Sequence, residues 1–357
     1  MCPWRLGKVG LPGVPIVIQR RKKLMNSISI KKNQVSAKLR PAFLRVSPVN
    51  IKGIETNRLM IIARSNGCEY AKTPHGGCTM CGFQRHLQGR VTEEQILSQI
   101  DFALNETDLT GVKEINFFTI GSFYNDAELS PEFRKKSLEK FAQLKNIRRV
   151  TVEGRAEYLT VEKLKESKAV LGDKILEYGI GLESSDEYIR NKVVNKGLSN
   201  KAFEEVLYKV KKAGADMFVY LLIKPFGLSE GEAVEDAARS AQYVFNQAKK
   251  IDLYTRVAFE PVFIVEGTEL EQAYLRGEYE ILNLWTIVEV IQRTHHLGCI
   301  FIGMSDENLS ADRKTYSCEK CYRNVSAEIE NFNKTQDISG LKRLDCQCKR
   351  SYEKSIR

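Results

Sequence analysis

Between Arg58 and Phe263 six short runs of strand-forming residues alternate with five longer stretches of helical spacing. The strand candidates are Arg58 to Ala63, Glu114 to Ile120, Arg149 to Gly154, Ile175 to Leu182, Met217 to Ile223 and Arg256 to Phe263. Helical stretches follow at Thr92 to Leu104, Pro131 to Leu144, Thr160 to Ala169, Lys201 to Ala213 and Glu230 to Lys249. In the first of these, Ile96, Leu97, Ile100, Ala103 and Leu104 share one face and Thr92 is placed to cap it. Strands alternating with helices predict an α/β fold with a parallel sheet and right-handed crossovers. A doubly wound dinucleotide sheet carries a glycine-rich phosphate turn after its first strand, whereas here that loop holds three cysteines. The pattern therefore predicts a partial (βα)6 barrel of the TIM type, with chemistry on loops at the C-terminal ends of the strands.

The three cysteines are Cys68, Cys78 and Cys81, in GCEYAKTPHGGCTMCGF. A four-iron cluster held by three thiolates keeps one iron open for a ligand. A zinc site is the alternative, with His75 or His86 as fourth ligand; the barrel context favours the cluster. A second group, Cys318-x2-Cys321 and Cys346-x-Cys348, supplies four sulfurs from two short knuckles. Four thiolates suit a structural zinc, with a second cluster as the alternative. Between the knuckles lies a polar segment with Asn324, Asn331, Asn333 and Lys334, too polar to form its own core, and Lys342, Arg343, Lys349 and Arg350 surround the second knuckle. Cys2 and Cys299 read as bystanders.

Charge is concentrated at one end. Residues 1–57 hold twelve Lys or Arg against Glu55 alone, which accounts for the whole excess of the 55 basic over the 45 acidic residues. The cluster Arg20, Arg21, Lys22, Lys23, Lys31 and Lys32 suits nucleic-acid phosphates or a solubilising tail, and Met25 offers a second start. Three parts follow: a basic N-terminal arm (1–57), the barrel (58–305) and a small C-terminal four-cysteine extension (306–357). No apolar run approaches the ~20 residues of a membrane span, and the first basic cluster follows the apolar stretch where a signal peptide would place it first. A cytoplasmic location is expected.

These motifs resemble the radical S-adenosylmethionine (SAM) enzymes. Within them the chain is similar to the radical SAM (beta) subunit family of archaeosine synthase. The resemblance runs from Arg58 to Cys348 through RSNGCEYAKTPHGGCTMCGF, TIGSFYNDAELSPE, VEGRAEYL, GIGLESSDEYIR, LLIKPFGLSEGEAVED, FIVEGTELEQAYLRGEY and LWTIVEVI. One departure is ILNLW around Trp285, where a proline-rich approach is expected.

The resemblance implies that Cys68, Cys78 and Cys81 hold a 4Fe-4S cluster whose fourth iron is chelated by SAM, the source of a hydrogen-abstracting 5′-deoxyadenosyl radical. It implies that Gly121, Ser122 and Phe123 meet the methionine amino group through backbone atoms. Glu153, Arg155 and Glu183 would then hold ribose hydroxyls and the methionine carboxylate, and Met80, with Phe83, would flank adenine. The implied reaction is carbon–nitrogen cleavage of a lysine carried by a 7-deazaguanine in the tRNA D-loop, leaving the formamidine of archaeosine, a lyase activity of archaeal tRNA modification. Implied partners are tRNA, the lysine-transferring subunit and a ferredoxin or flavodoxin. Alternatives are an elongator-type or methylthiotransferase-like RNA-modifying radical SAM enzyme, or a noncatalytic iron–sulfur and zinc RNA-binding protein.

Overall fold

The computed structural model describes residues 37–309 and 314–356, so the basic cluster from Arg20 to Lys32 lies outside the described residues. Eight strands form one sheet in chain order: β1 (Phe43–Ile51), β2 (Ile54–Ala63), β3 (Val112–Thr119), β4 (Arg149–Glu153), β5 (Ile175–Glu183), β6 (Asp216–Ile223), β7 (Thr255–Pro261) and β8 (Cys299–Ile302). β1 runs antiparallel to β2, and each later pair is parallel. The six expected strands are β2 to β7. The structure adds a strand at each edge, and both escape the pattern for physical reasons. β1 carries Arg45 and Pro48, which an edge strand tolerates, and β8 is only four residues long. The residue-57 boundary suggested by charge falls inside β2. A two-residue turn at Lys52 (φ 50°) and Gly53 (φ 87°) joins β1 to β2, as the twist of a hairpin favours.

The helices are α1 (Glu69–Lys72), α2 (Glu93–Glu106), α3 (Pro131–Ala142), α4 (Val161–Leu171), α5 (Asn200–Ala213), α6 (Glu230–Lys250), α7 (Glu269–Leu275), α8 (Leu284–Thr294), α9 (Glu319–Thr335), α10 (Ser339–Arg343) and α11 (Gln347–Ser355). Thr92 caps α2 in a reciprocal box with Gln95, as expected, and Ser130, Thr160, Ser199 and Ser229 cap the crossover helices that follow. One face of each strand packs on these helices through residues such as Leu59, Ile61, Phe117, Val152, Tyr178, Val219 and Phe259. The other face lines the barrel and is polar at its base. There Arg256 reaches Glu114 at 3.1 Å and Glu177 at 2.8 Å, while Arg149 reaches Glu114 at 3.5 Å and Asp216 at 3.3 Å.

The sheet does not close on itself: among the described residues, β8 pairs only with β7. α9 fills the seam, burying Val325, Ile329 and Phe332. Its last turn treats β8 as a strand would. Asn333 Oδ1 accepts from Ile302 N–H at 2.8 Å and Asn333 Nδ2 donates to Ile302 C=O at 2.9 Å. Gln336 does the same for Ile300, at 3.0 and 2.8 Å. An unpaired strand edge is a liability, and two amides neutralise this one. The C-terminal segment thus shares the barrel's core, and Asn333 is a buried edge cap, not part of a polar surface. Among the described residues no helix is long and apolar enough to cross a membrane.

Asn333→Ala leaves two buried backbone groups unpaired at roughly 1–3 kcal/mol each. Urea unfolding is expected to show a loss of about 2–6 kcal/mol. Arg45→Ala, which breaks an exposed 3.1 Å pair with Glu330 on the same helix, should cost about 1 kcal/mol or less.

Candidate functional site

The loop after β2 carries Cys68, Cys78 and Cys81 at the C-terminal rim of the barrel, and two clips fix its shape. Asn195, in the β5 to α5 connection, donates from Nδ2 to His75 C=O and to Gly77 C=O, both at 2.7 Å. Thr79 donates through its N–H to Val194 C=O (3.0 Å) and through its hydroxyl to Val193 C=O (2.8 Å). The second clip is Glu128. Its carboxylate accepts from the N–H of Glu69, next to Cys68, at 2.9 Å, and from the N–H of Ser122, after β3, at 2.5 Å. A Cβ at Gly121 would collide with that carboxylate, which explains the glycine. Glu128 therefore ties the cysteine loop to the Gly-Ser-Phe turn, although its surface-like sequence context does not mark it.

The loop roofs a cavity of about 300 Å³, within the range of small-molecule sites. Cys68, Met80, Cys78, Cys81, Gly121, Ser122, Glu153, Arg155 and Glu183 all line it. Phe123 does not: its ring packs edge-on against Phe117 and Tyr124 in the outer core, and its N–H donates to Glu153 C=O at 2.9 Å. Neither histidine lines the cavity. His75 is exposed, while the buried His86 ring hydrogen-bonds Glu307 C=O at 3.1 Å. The glycines of β5 keep the space open, since a side chain at Gly179 would meet Glu153 and Tyr220 and one at Gly181 would meet Glu183 and Lys196.

Burial pushes the Cys78 thiol up and the Cys81 thiol up to about 12. Such thiols are poor nucleophiles and ionise when a metal takes the proton's place. Their sulfurs are not gathered closely enough for a single ion among the described residues, as suits a cluster that gives each thiolate its own iron. Lys196 pairs with Glu183 at 2.7 Å; burial works to lower its pKa, but that carboxylate and Cys78 reverse the sign. Arg155 lies 3.7 Å over the Tyr70 ring and pairs with Glu157 at 2.5 Å. Deeper in, burial pushes Glu153 to about 7 and Glu260 to about 7, with Arg58 drawing the latter down. Lys196, Arg58, Glu260 and Glu307 also line the cavity. Sequence reading passes over all four, although Arg58 and Glu260 were findable as charged residues on the inward positions of otherwise apolar strands.

The second thiol group lies on the outside of the barrel. Cys318, Cys321, Cys346 and Cys348 bring their sulfurs within 4.8 Å of one another, with separations of 3.2 Å (318 to 321), 3.5 Å (318 to 346) and 3.3 Å (321 to 348). These are too long for disulfides, at ~2.05 Å, and close to the roughly 3.8 Å that four sulfurs ~2.3 Å from a tetrahedral ion would adopt. Trp285 donates its indole N–H to Cys348 Sγ at 3.2 Å. Burial opposes ionisation of Cys348, but that bond and the neighbouring thiols bring it down to about 6. Asn283 caps α8 where a proline approach is expected, so the departure preserves the turn that presents Trp285. Of the four nearby basic residues, Lys349 caps Leu344 C=O at 3.0 Å and Arg350 pairs with Asp345 at 2.9 Å. Among the described residues, Lys342 and Arg343 are the two left for an external anion.

With the folded pKa of Glu260 at about 7 against the usual 4.5, the native state holds a proton that the unfolded chain has lost between those values. Stability of the ligand-free protein therefore falls as pH rises through that window. Glu260→Gln is expected to flatten the decline, measured as the urea midpoint from pH 4.5 to 7.5 or so.

No family model matches the chain. It is 30% identical over 308 residues to an archaeosine synthase subunit beta from Methanosarcina acetivorans, covering 86% of this chain and 87% of that protein. It is 31% identical over 309 residues to an archaeosine synthase subunit beta from Thermococcus kodakarensis, covering 85% and 93%. An uncharacterized protein of Methanocaldococcus jannaschii is 30% identical over 331 residues, covering 90% and 88%. Among solved structures, an N-terminally deleted Elp3 of Methanocaldococcus infernus gives a TM-score of 0.47 at 16% identity, covering 68% of this chain and 59% of that one. A likeness of that degree carries no functional argument.

Proposed function

Since the chain belongs to the archaeosine synthase subunit beta family, we propose that it is a radical SAM enzyme that modifies tRNA. The observation that carries this reading is the convergence of three unbridged, half-buried thiols on one cavity at the C-terminal rim, with no histidine or fourth cysteine lining it among the described residues. Cys68, Cys78 and Cys81 would hold a 4Fe-4S cluster, with SAM bound beside it. When bound, the reduced cluster supplies the electron that cleaves SAM and so provides a hydrogen-abstracting radical.

The chain's own residues do the positioning. Gly121 and Ser122, held by Glu128, present backbone groups to the methionine end. Glu153, Arg155 and Glu183 face the ribose and carboxylate, and Met80 packs by adenine. Phe123 contributes its backbone only, because its ring is committed to the core. The apolar walls at Phe118, Phe218 and Leu222 exclude water, which protects a radical from quenching. The substrate is a tRNA whose D-loop 7-deazaguanine carries lysine, and the reaction breaks the lysine side chain's carbon–nitrogen bond to leave a formamidine. Zinc at Cys318, Cys321, Cys346 and Cys348 is structural. The N-terminal basic residues, with Lys342 and Arg343, meet tRNA phosphates. A lysine-transferring subunit supplies the substrate, a ferredoxin or flavodoxin the electron, and the setting is the cytoplasm.

Mass spectrometry of nucleosides after anaerobic incubation with SAM and reductant tests the reaction: conversion of the lysine-bearing base is expected, and its persistence despite SAM cleavage rejects the substrate. No SAM cleavage by protein with an intact cluster favours a noncatalytic RNA-binding role. A second measurement tests the division of labour. Cys78→Ala should lose cluster iron and SAM cleavage, whereas Cys346→Ala should keep the iron, lose zinc and melt earlier; equal iron loss in both contradicts the assignment.

A further inference from the structure

Arg58, Glu260 and Glu307 line the cavity but have no part in the roles above. Arg58 stands on the inner face of β2 and is only 5% exposed. Its Nε donates to Ser47 Oγ at 3.2 Å, and its guanidinium carbon lies 3.8 Å from the centre of the Phe301 ring. Among the described residues its terminal nitrogens have no carboxylate within ion-pair reach. Arg149 and Arg256, on the same inner face, are each bound to carboxylates. Glu114 and Glu260 offset its charge only from a distance; a buried cation with no carboxylate in contact is costly, and Arg cannot discard its charge, so Arg58 points to an anion that arrives from outside.

The facing wall is complementary. Glu260, next to last in β7, has its carboxylate against Gly303, where a Cβ would overlap it, and Glu307 follows β8 in the same wall. Neither carboxylate is in an ion-pair contact among the described residues, although both feel the charge of Arg58 from a distance. Phe301, on which Arg58 rests, is in register with Ala258, two residues before Glu260 on its strand. That offset is roughly 6–7 Å. A carboxylate and an ammonium on one carbon, each hydrogen-bonded at about 2.7–2.9 Å, span a gap of that size.

We propose that this part of the cavity is a subsite for an α-amino-acid group, with Arg58 taking the carboxylate and Glu260 and Glu307 the ammonium. The group is the free end of the lysine carried by the substrate base, so the identification rests on the reaction read above. SAM also ends in such a group, but its place is beside the thiols at the rim. Arg58 lies five residues before the end of β2 at Ala63, roughly 16 Å down the strand.

Two tRNA conjugates test this: one bearing lysine, and one bearing cadaverine, which keeps the ammonium and lacks the carboxylate. The wild-type KM for the lysine conjugate is expected to be roughly 10- to 100-fold lower than for the cadaverine conjugate. Arg58→Met should erase that difference by raising the lysine KM alone, with the Kd for SAM unchanged within about twofold. Glu260→Gln should raise both KM values. Discrimination that survives Arg58→Met overturns the subsite, and so does a loss of SAM affinity, which would assign Arg58 to the cofactor. Should Arg58→Met fail to fold by circular dichroism, Arg58→Lys carries the same comparison, because it loses the planar fork and keeps the charge. Wild-type protein that cleaves SAM yet converts neither conjugate overturns the reaction instead. Titration with free Nε-acetyllysine then decides the subsite: binding that Arg58→Met removes upholds it, and no binding ends it.

Discussion

The buried ion network at the base of the barrel is what the rest of the structure depends on. Arg149 and Arg256 are 0% and 1% exposed, and Glu114 and Glu177 are fully buried between them. Such groups are tolerable only as a complete set, because removing one partner strands a charge at a cost of about 3–5 kcal/mol. Thr151 completes it by donating to Glu177 at 2.8 Å. The network fills the base of the barrel, and the cavity lies above it. The rim is where the three cysteines sit.

Above that floor, the site is organised by residues that never face a ligand. Glu128 joins the turn after β3 to the cysteine loop, and Asn195 holds the same loop from the β5 side, itself at φ 57°. The three thiols, two of which (Cys78 and Cys81) burial keeps from ionising, are thereby kept at fixed positions before any metal binds. Rigid placement of thiols is what a resident cluster needs.

Much of this is legible in the sequence because it follows from local rules. The period of apolar residues marks β2 to β7 and their helices, the cap at Thr92 is a two-residue signal, and cysteine spacing separates the two thiol groups. What stays hidden depends on distant partners. β1 and β8 exist because neighbours pair with them, and Asn333 reads as polar surface until Ile302 lies against it. Phe123 is misleading for the opposite reason: its turn is functional in backbone, but side-chain alternation sends its ring into the core. Charges inside the barrel, such as Arg58 and Glu260, are invisible to a search for loop motifs because they sit within strands.

The four-cysteine group, although outside the barrel, is continuous with its rim. Cys318 and Cys321 begin α9, the helix that seals the seam beside β8, and Cys346 and Cys348 begin α11. Trp285 at the start of α8 bonds to Cys348, and Thr286 beside it is hydrogen-bonded to Tyr352 of α11 at 3.0 Å and to Glu230. Glu230 in turn receives Lys224 at 2.6 Å, a rim residue after β6 held at φ 62°. An ion bound by the four sulfurs would therefore fix the helix that caps the open edge and, through Glu230, the loop at the cavity's mouth. A metal there would add its binding free energy to the burial of Val325, Ile329 and Phe332, which already anchors this segment in the barrel's core.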